Sequence, residues 1–233
     1  MKWLFIVGFM LSVTISPAQS FFEQADVFFT KYVDDGQVNY QLLKREPKML
    51  NDLVREIRDH DISNKRVTQD YLKAFYINAY NILVIKQVVD RYPVSGPLTI
   101  DGFFSDFKHG VMGQEVTLDQ LEKDLLYSRF PDPRLHFVLV CAAKGCPPLA
   151  DFGYIPSSLE KMLTERTSYV LNLNWFIRVN TGKVQVSEIF NWYKDDFIKS
   201  KGSVISFINQ YRKDKINERS KVDYYTYDWS LNE

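Results

Sequence analysis

Along the chain the apolar positions fall first into helical spacing. Phe22, Ala25, Phe29 and Tyr32 lie on one stripe and predict a helix over 21–33. Asp34-Asp35-Gly36 stops it, and Val38-Asn39-Tyr40 leads into a short helical stretch. Pro47 opens a further helix with apolar positions at Leu50, Leu53, Val54 and Ile57. The longest helix is expected over 68–91, where Leu72, Phe75, Tyr76, Ala79, Leu83 and Val84 recur at three- and four-residue intervals. Ile77, Tyr80 and Ile82 fill its other faces, and a helix apolar nearly all round belongs at the centre of a fold.

Beyond residue 92 both strand and helix patterns occur. A hairpin is expected from 107–111 and 115–117, turning at Met112-Gly113-Gln114. Thr117 and Gln120 make a capping-box pattern for a helix to about Tyr127. Arg134-Leu-His-Phe-Val-Leu-Val-Cys141 has the composition of a buried strand. Ser157 and Glu160 form a second capping pattern, for a helix ending near Leu171. Two short strands, 175–179 and 183–186, flank Asn180-Thr181-Gly182; helices follow over 189–198 and 204–211, and a polar-aromatic strand around 222–227. Helices outnumber strands, and the strands mostly do not alternate with them. The expected class is α+β, a single helix-rich domain over 19–233 with a small mixed or antiparallel sheet.

The N-terminus stands apart. Lys2 precedes an apolar run from Trp3 to Ile15, Pro17 ends it, and Ser16, Ala18 and Ser20 are small. Charge, apolar core and small residues make the plan of a secretory signal over 1–18, cleaved after 18 or 20. The run is shorter than the roughly 20 residues of a bilayer span. A protein exported to the periplasm or the exterior is therefore expected, with no membrane span after cleavage. Composition narrows the classes further. The 29 basic residues balance 29 acidic ones, 45% of the chain is hydrophobic and only 25% charged, so neither disorder nor the basic field of a nucleic-acid binder is expected. Lys199–Lys221 is basic, which by itself describes a solvated face.

The candidate chemistry lies in two constellations. In the first, residues 134–149 carry Arg134, His136, Cys141, Lys144 and Cys146-Pro147-Pro148. On a strand, His136 and Cys141 would point to opposite faces, with Cys146 returning beyond a turn. Three readings stand. Cys146 is a nucleophile served by His136; or Cys141 and Cys146 form a disulfide, as a clasp or a redox pair; or both are packed core groups. Neither metal nor cofactor is expected, because two Cys and one His lack a fourth ligand. In the second, Asn78 and Asn81 share a face of the central helix and need hydrogen-bond partners there. They either hold neighbouring backbone or form the polar floor of a pocket. Glu122, one turn into the capped helix, reads as an exposed carboxylate, and Trp192-Tyr193 as core.

These motifs occur in a telling order: Phe75-Tyr-Ile-Asn-Ala-Tyr-Asn81, Val116-Thr-Leu-Asp-Gln-Leu-Glu122, Asp132–Cys141 with Cys146-Pro-Pro-Leu149, Ile189–Phe197, and a closing Tyr227-Asp-Trp-Ser-Leu-Asn232. Together they resemble the domain-of-unknown-function 547 family of exported bacterial proteins and plant proteins with leucine-zipper regions. The resemblance implies that Asn78, Asn81, Arg134, His136, Cys141, Cys146 and Pro147 match motif positions, and it implies little biochemistry. Many members carry Ser where Gly145 stands, and His where Lys123 stands. Two functions are expected as alternatives. One is a thiol-dependent hydrolase or acyl transferase, with Cys146 attacking, His136 moving the proton and Asn78 or Asn81 orienting base or oxyanion, and Arg134, Cys141 and Glu122 as pocket or structural groups. The other is a non-catalytic envelope module that binds a peptide, glycan or protein ligand, with Cys141–Cys146 as a structural disulfide.

Overall fold

A computed structural model describes residues 20–63 and 67–233. The expected export signal lies outside the described residues. Helix α1 (Phe21–Tyr32) begins with a capping box in which the Ser20 hydroxyl and the Glu23 carboxylate each accept the other's backbone N–H. Asp35 and Gly36, both at positive φ, then turn a minimal hairpin of β1 (Val33–Asp34) and β2 (Gln37–Val38), so the expected stop is a hairpin. Helices α2 (Tyr40–Arg45) and α3 (Lys48–Asp59) follow.

Helix α4 (Gln69–Arg91) is capped by the Thr68 side chain and is buried without interruption from Lys73 to Ile85. Its all-round apolar surface is matched by neighbours on every side: α1, α2 and α3, and then the segments that follow it. The hairpin of β3 (Lys108–Val111) and β4 (Gln114–Thr117) turns on Met112 and Gly113, both at positive φ. The N–H groups of these two turn residues donate to Ile57 and Arg58 carbonyls at 2.9 and 2.8 Å, so the turn caps the end of α3.

The Thr117–Gln120 capping box forms as the sequence predicts and starts α5 (Leu118–Gln120). The helix then widens over Leu121–Tyr127 into π geometry, with Ser128 N–H reaching the Lys123 carbonyl five residues back at 3.0 Å. Helix α6 (Leu159–Leu171) follows a short 3₁₀ turn, Pro156–Ser158. The second expected capping box does not form. Ser158 bonds the Met162 sulfur, and Glu160 is drawn instead to Arg134 and Lys73.

The sheet is mixed. Strand β5 (Ile177–Asn180) pairs antiparallel with β6 (Lys183–Ser187), and β6 pairs in parallel with β7 (Lys221–Tyr225). The crossover between the parallel strands consists of α7 (Ile189–Trp192), α8 (Lys194–Lys201) and α9 (Val204–Tyr211). The single helix expected over 189–198 breaks at Tyr193, whose φ of -111° and ψ of 27° leave helical geometry. Phe190, Phe197 and Phe207 of this crossover pack with Phe137 and Phe176 as one aromatic cluster, tilted, edge to face or, for Phe137 and Phe207, stacked.

The principal correction concerns residues 134–141, which form no strand. Asp132 caps the Arg134 N–H, Pro133 presets the first turn, and Pro133–Phe137 is a 3₁₀ helix. Residues 138–141 then run irregularly. The β-rich composition of His-Phe-Val-Leu-Val reflects burial, not sheet pairing, since Leu135, Phe137, Val138 and Val140 are all in the core. Among the described residues no helix is long and apolar enough to cross a membrane.

Candidate functional site

The irregular segment after Phe137 has no strand beside it, yet a side chain bonds its backbone. Asn81 on α4 donates to the Val138 carbonyl at 2.9 Å and accepts from the Val140 N–H at 3.0 Å. Its carboxamide stands in for a neighbouring strand. Asn78, one turn earlier, does the same for Tyr154, donating to its carbonyl at 2.8 Å and accepting from its N–H at 2.9 Å. Both asparagines therefore bind backbone. Neither lines the cleft described below, so of the two expected roles they take the holding of backbone and not the polar pocket floor.

Arg134 is likewise structural. Its guanidinium holds Asp132 and Glu160, each at 2.6 Å at the closest, while Lys73 reaches Asp132 at 2.7 Å. Burial would raise the Asp132 carboxyl, but hydrogen bonds from Arg134 and Lys73 outweigh it and bring the group down to about 2.

The cysteine loop is shaped twice over. Cys141 and Cys146 are joined in a disulfide. The closing segment also pairs with the loop: Asn232 N–H donates to the Ala142 carbonyl at 3.1 Å, Lys144 N–H to Ser230 at 2.8 Å, and Gly145 N–H to Asp228 at 2.8 Å. A Cβ on Gly145 would lie 2.9 Å from both the Asp228 nitrogen and the Tyr227 ring. A serine at this place would force the closing segment outward, which accounts for glycine here. The Tyr227 hydroxyl reaches both sulfurs, 3.1 Å from Cys146 Sγ and 3.2 Å from Cys141 Sγ.

Beside this loop opens a cleft of about 280 Å³. The disulfide, Pro147 and Leu139 form one wall; Tyr80 of α4, and Asp119, Glu122 and Lys123 from α5 and its π continuation, form another. Trp192 and Tyr193 from the α7–α8 break, with Tyr227 and Trp229 from the closing segment, complete it. Four of the sequence candidates thus converge here: His136, Cys141, Cys146 and Glu122. The aromatic residues are the part the sequence reading misassigned. Trp192 is not core; it is 48% exposed and packs against Tyr227 and Trp229 at ring distances of 4.9 and 5.8 Å.

Glu122 is half-buried rather than exposed. Tyr193 donates to it at 3.3 Å, and burial pushes its carboxyl above the ordinary range against the pull of His136 and Tyr80. Lys123, where a histidine is common in the resembling family, pairs with Asp119 at 3.0 Å.

His136 sits under the cleft, stacked on Tyr193 at 3.8 Å. Its Nε2 is 3.0 Å from Asp196 Oδ2 and 3.0 Å from the Tyr127 hydroxyl, which itself donates to Asp196 at 2.9 Å. A carboxylate only accepts, so the Nε2 proton points at Asp196 and that nitrogen is not free to act as a base. The hydrogen bond from His136 is the largest influence holding the Asp196 carboxyl low. Tyr127 and Asp196 carried no sequence signal for this role, because only the break at Tyr193 brings α8 against His136. Among the described residues no cluster of three or more His, Cys, Asp or Glu is placed to hold a metal ion.

Two consequences are measurable. Asn81→Ala leaves the buried Val138 carbonyl and Val140 N–H without partners, at about 1–3 kcal/mol each, so denaturant unfolding should show a loss of about 2–6 kcal/mol. A loss under about 1 kcal/mol contradicts the fastening role. The second concerns acid stability. With Asp132 at about 2 when folded and 3.8 ordinarily, its contribution of about 2 kcal/mol is complete above about pH 4 and disappears as pH falls towards 2. Asp132→Asn should therefore flatten the fall in stability across that window, followed by thermal unfolding at stepped pH; an unchanged slope contradicts it.

Comparison with known proteins agrees with this placement of motifs. No curated protein and no solved structure matches the chain. The model of the family described as protein of unknown function, DUF547, matches residues 64–170, which span the central helix, both asparagines, the capped helix and the cysteine loop. Over that region, a little under half of its length, the chain is similar to the DUF547 family.

Proposed function

We propose that the protein is an exported binding module whose cleft holds the terminal residue of an uncharged glycan. The observation that carries the reading is the half-exposed Trp192, set against Trp229 and Tyr227 along a cleft with polar groups at its back. Aromatic faces left open to water favour a ligand with an apolar face of its own. A sugar ring offers such a face of C–H groups, and its edge carries hydroxyls. Glu122 and the Tyr80 and Tyr193 hydroxyls supply both acceptors and donors for that edge.

Charge favours an uncharged ligand over a peptide terminus. Lys123 is already paired with Asp119, and His136 with Asp196, so the cleft offers a carboxylate or an amine little unpaired opposite charge. Glu122 is the exception, and burial disfavours its charged form. The thiol-hydrolase or acyl-transferase alternative fits less well. Cys146 is bonded to Cys141 and has no thiol to ionise, and both asparagine amides hold backbone. The disulfide also supports export, since such bonds persist chiefly in oxidising compartments.

Calorimetric titration of the mature chain with a panel of neutral oligosaccharides tests this. Saturable binding is expected, weakened tenfold or more by Trp192→Ala while the melting temperature stays unchanged. Binding of peptides in place of glycans, or glycan binding indifferent to Trp192, contradicts the reading.

A further inference from the structure

The Cys141–Cys146 bond closes a loop between residues only five apart in sequence, so as a staple it removes little chain entropy. The loop is also fixed without it. Three backbone hydrogen bonds with the closing segment, the Cys146 N–H to Ala143 carbonyl bond at 3.1 Å, and the rigid Pro147-Pro148 all hold the same few residues. A bond that adds so little shape, placed in the wall of a cleft, calls for another account.

The two sulfurs are not equivalent. Cys146 is 3% exposed and receives two donors, the Cys141 N–H at 3.0 Å and the Tyr227 hydroxyl at 3.1 Å. Cys141 is only half-buried, lines the cleft, and has the Tyr227 hydroxyl alone, at 3.2 Å. One phenol proton serves one sulfur at a time, so negative charge is better received on Cys146. Burial raises the Tyr227 phenol's own ionisation, which keeps it a donor.

We propose that Cys141–Cys146 is an exchange-active disulfide, attacked at Cys141 Sγ by a small thiol entering the cleft, with Cys146 Sγ as the leaving group. The incoming thiolate forms a new S–S bond to Cys141 as the Cys141–Cys146 bond breaks. The electron pair departs on Cys146, where the Tyr227 O–H and the Cys141 N–H receive it. A second thiolate then attacks the ligand sulfur of the mixed disulfide, releasing an oxidised thiol pair and Cys141 thiolate, and both cysteines take up the protons the two thiols gave up. Two thiols are oxidised and one protein disulfide is reduced. The reaction goes beyond glycan binding and does not depend on it.

The test places the oxidised mature protein in native buffer with reduced glutathione, traps thiols by alkylation and reads them by mass. Native-state reduction at millimolar glutathione is expected, slowed about tenfold by Tyr227→Phe, which removes a donor to the leaving sulfur. With oxidised glutathione, Cys146→Ser should form a mixed disulfide on Cys141 at least tenfold faster than Cys141→Ser forms one on Cys146. A disulfide that opens only once the protein is denatured overturns the proposal without needing any variant. Faster capture at Cys146, or no effect of Tyr227→Phe, overturns its assignment of roles. Exchange without glycan binding would remove the function proposed above and leave this one standing, and the converse result would do the reverse.

Discussion

A buried helix can fasten an irregular segment only if something satisfies that segment's backbone, and here two side-chain amides do it. Asn78 and Asn81 each present a donor and an acceptor in the geometry of a peptide group, and each takes one N–H and one C=O from the chain beside α4. The segment held by Asn81 runs straight into Cys141. The one held by Asn78 precedes α6, whose Glu160 closes the ionic network around Asp132. Without these amides the burial of 138–140 would leave unpaired polar groups, and the wall of the cleft would have no fixed position.

From that attachment the rest of the cleft follows by contact. The cysteine loop returns on Pro147-Pro148, and the last residues of the chain pair with it, so Tyr227 and Trp229 arrive beside the sulfurs. On the opposite side the π-widened turn after α5 carries Glu122 inward, and the break at Tyr193 lays that ring on His136. Around the cleft two carboxylates are matched by cationic or imidazole partners: Asp132 with Arg134 and Lys73, Asp196 with His136. What remains open to solvent is an aromatic lip with a disulfide in its wall.

The sequence made the helices legible where apolar spacing and caps agreed. The Thr117–Gln120 box and the all-round burial of α4 are read directly from residue order. It misled where composition stood in for pairing. His-Phe-Val-Leu-Val looks like a strand because it is apolar and all but Leu139 is buried, but the Asn81 side chain, not a strand, bonds its backbone, and no local pattern records that substitution. Ser157 and Glu160 satisfied a capping template while Glu160 was required by Arg134, far away in sequence. His136, Cys141, Cys146 and Glu122 were legible as site candidates from their chemistry. Trp192, Tyr193 and Tyr227 were not, because aromatic residues in core and cleft look alike until the helix break and the closing segment place them.

The dependence of the site on side-chain amides is tested most directly by native-state hydrogen exchange at the Val140 and Tyr154 amides. Both lie in segments with no regular backbone pairing, where rapid exchange is the ordinary outcome. If Asn81 and Asn78 fasten these segments to the central helix, both amides should exchange as slowly as those in the middle of α4. Exchange at the rate of exposed loops would contradict the account.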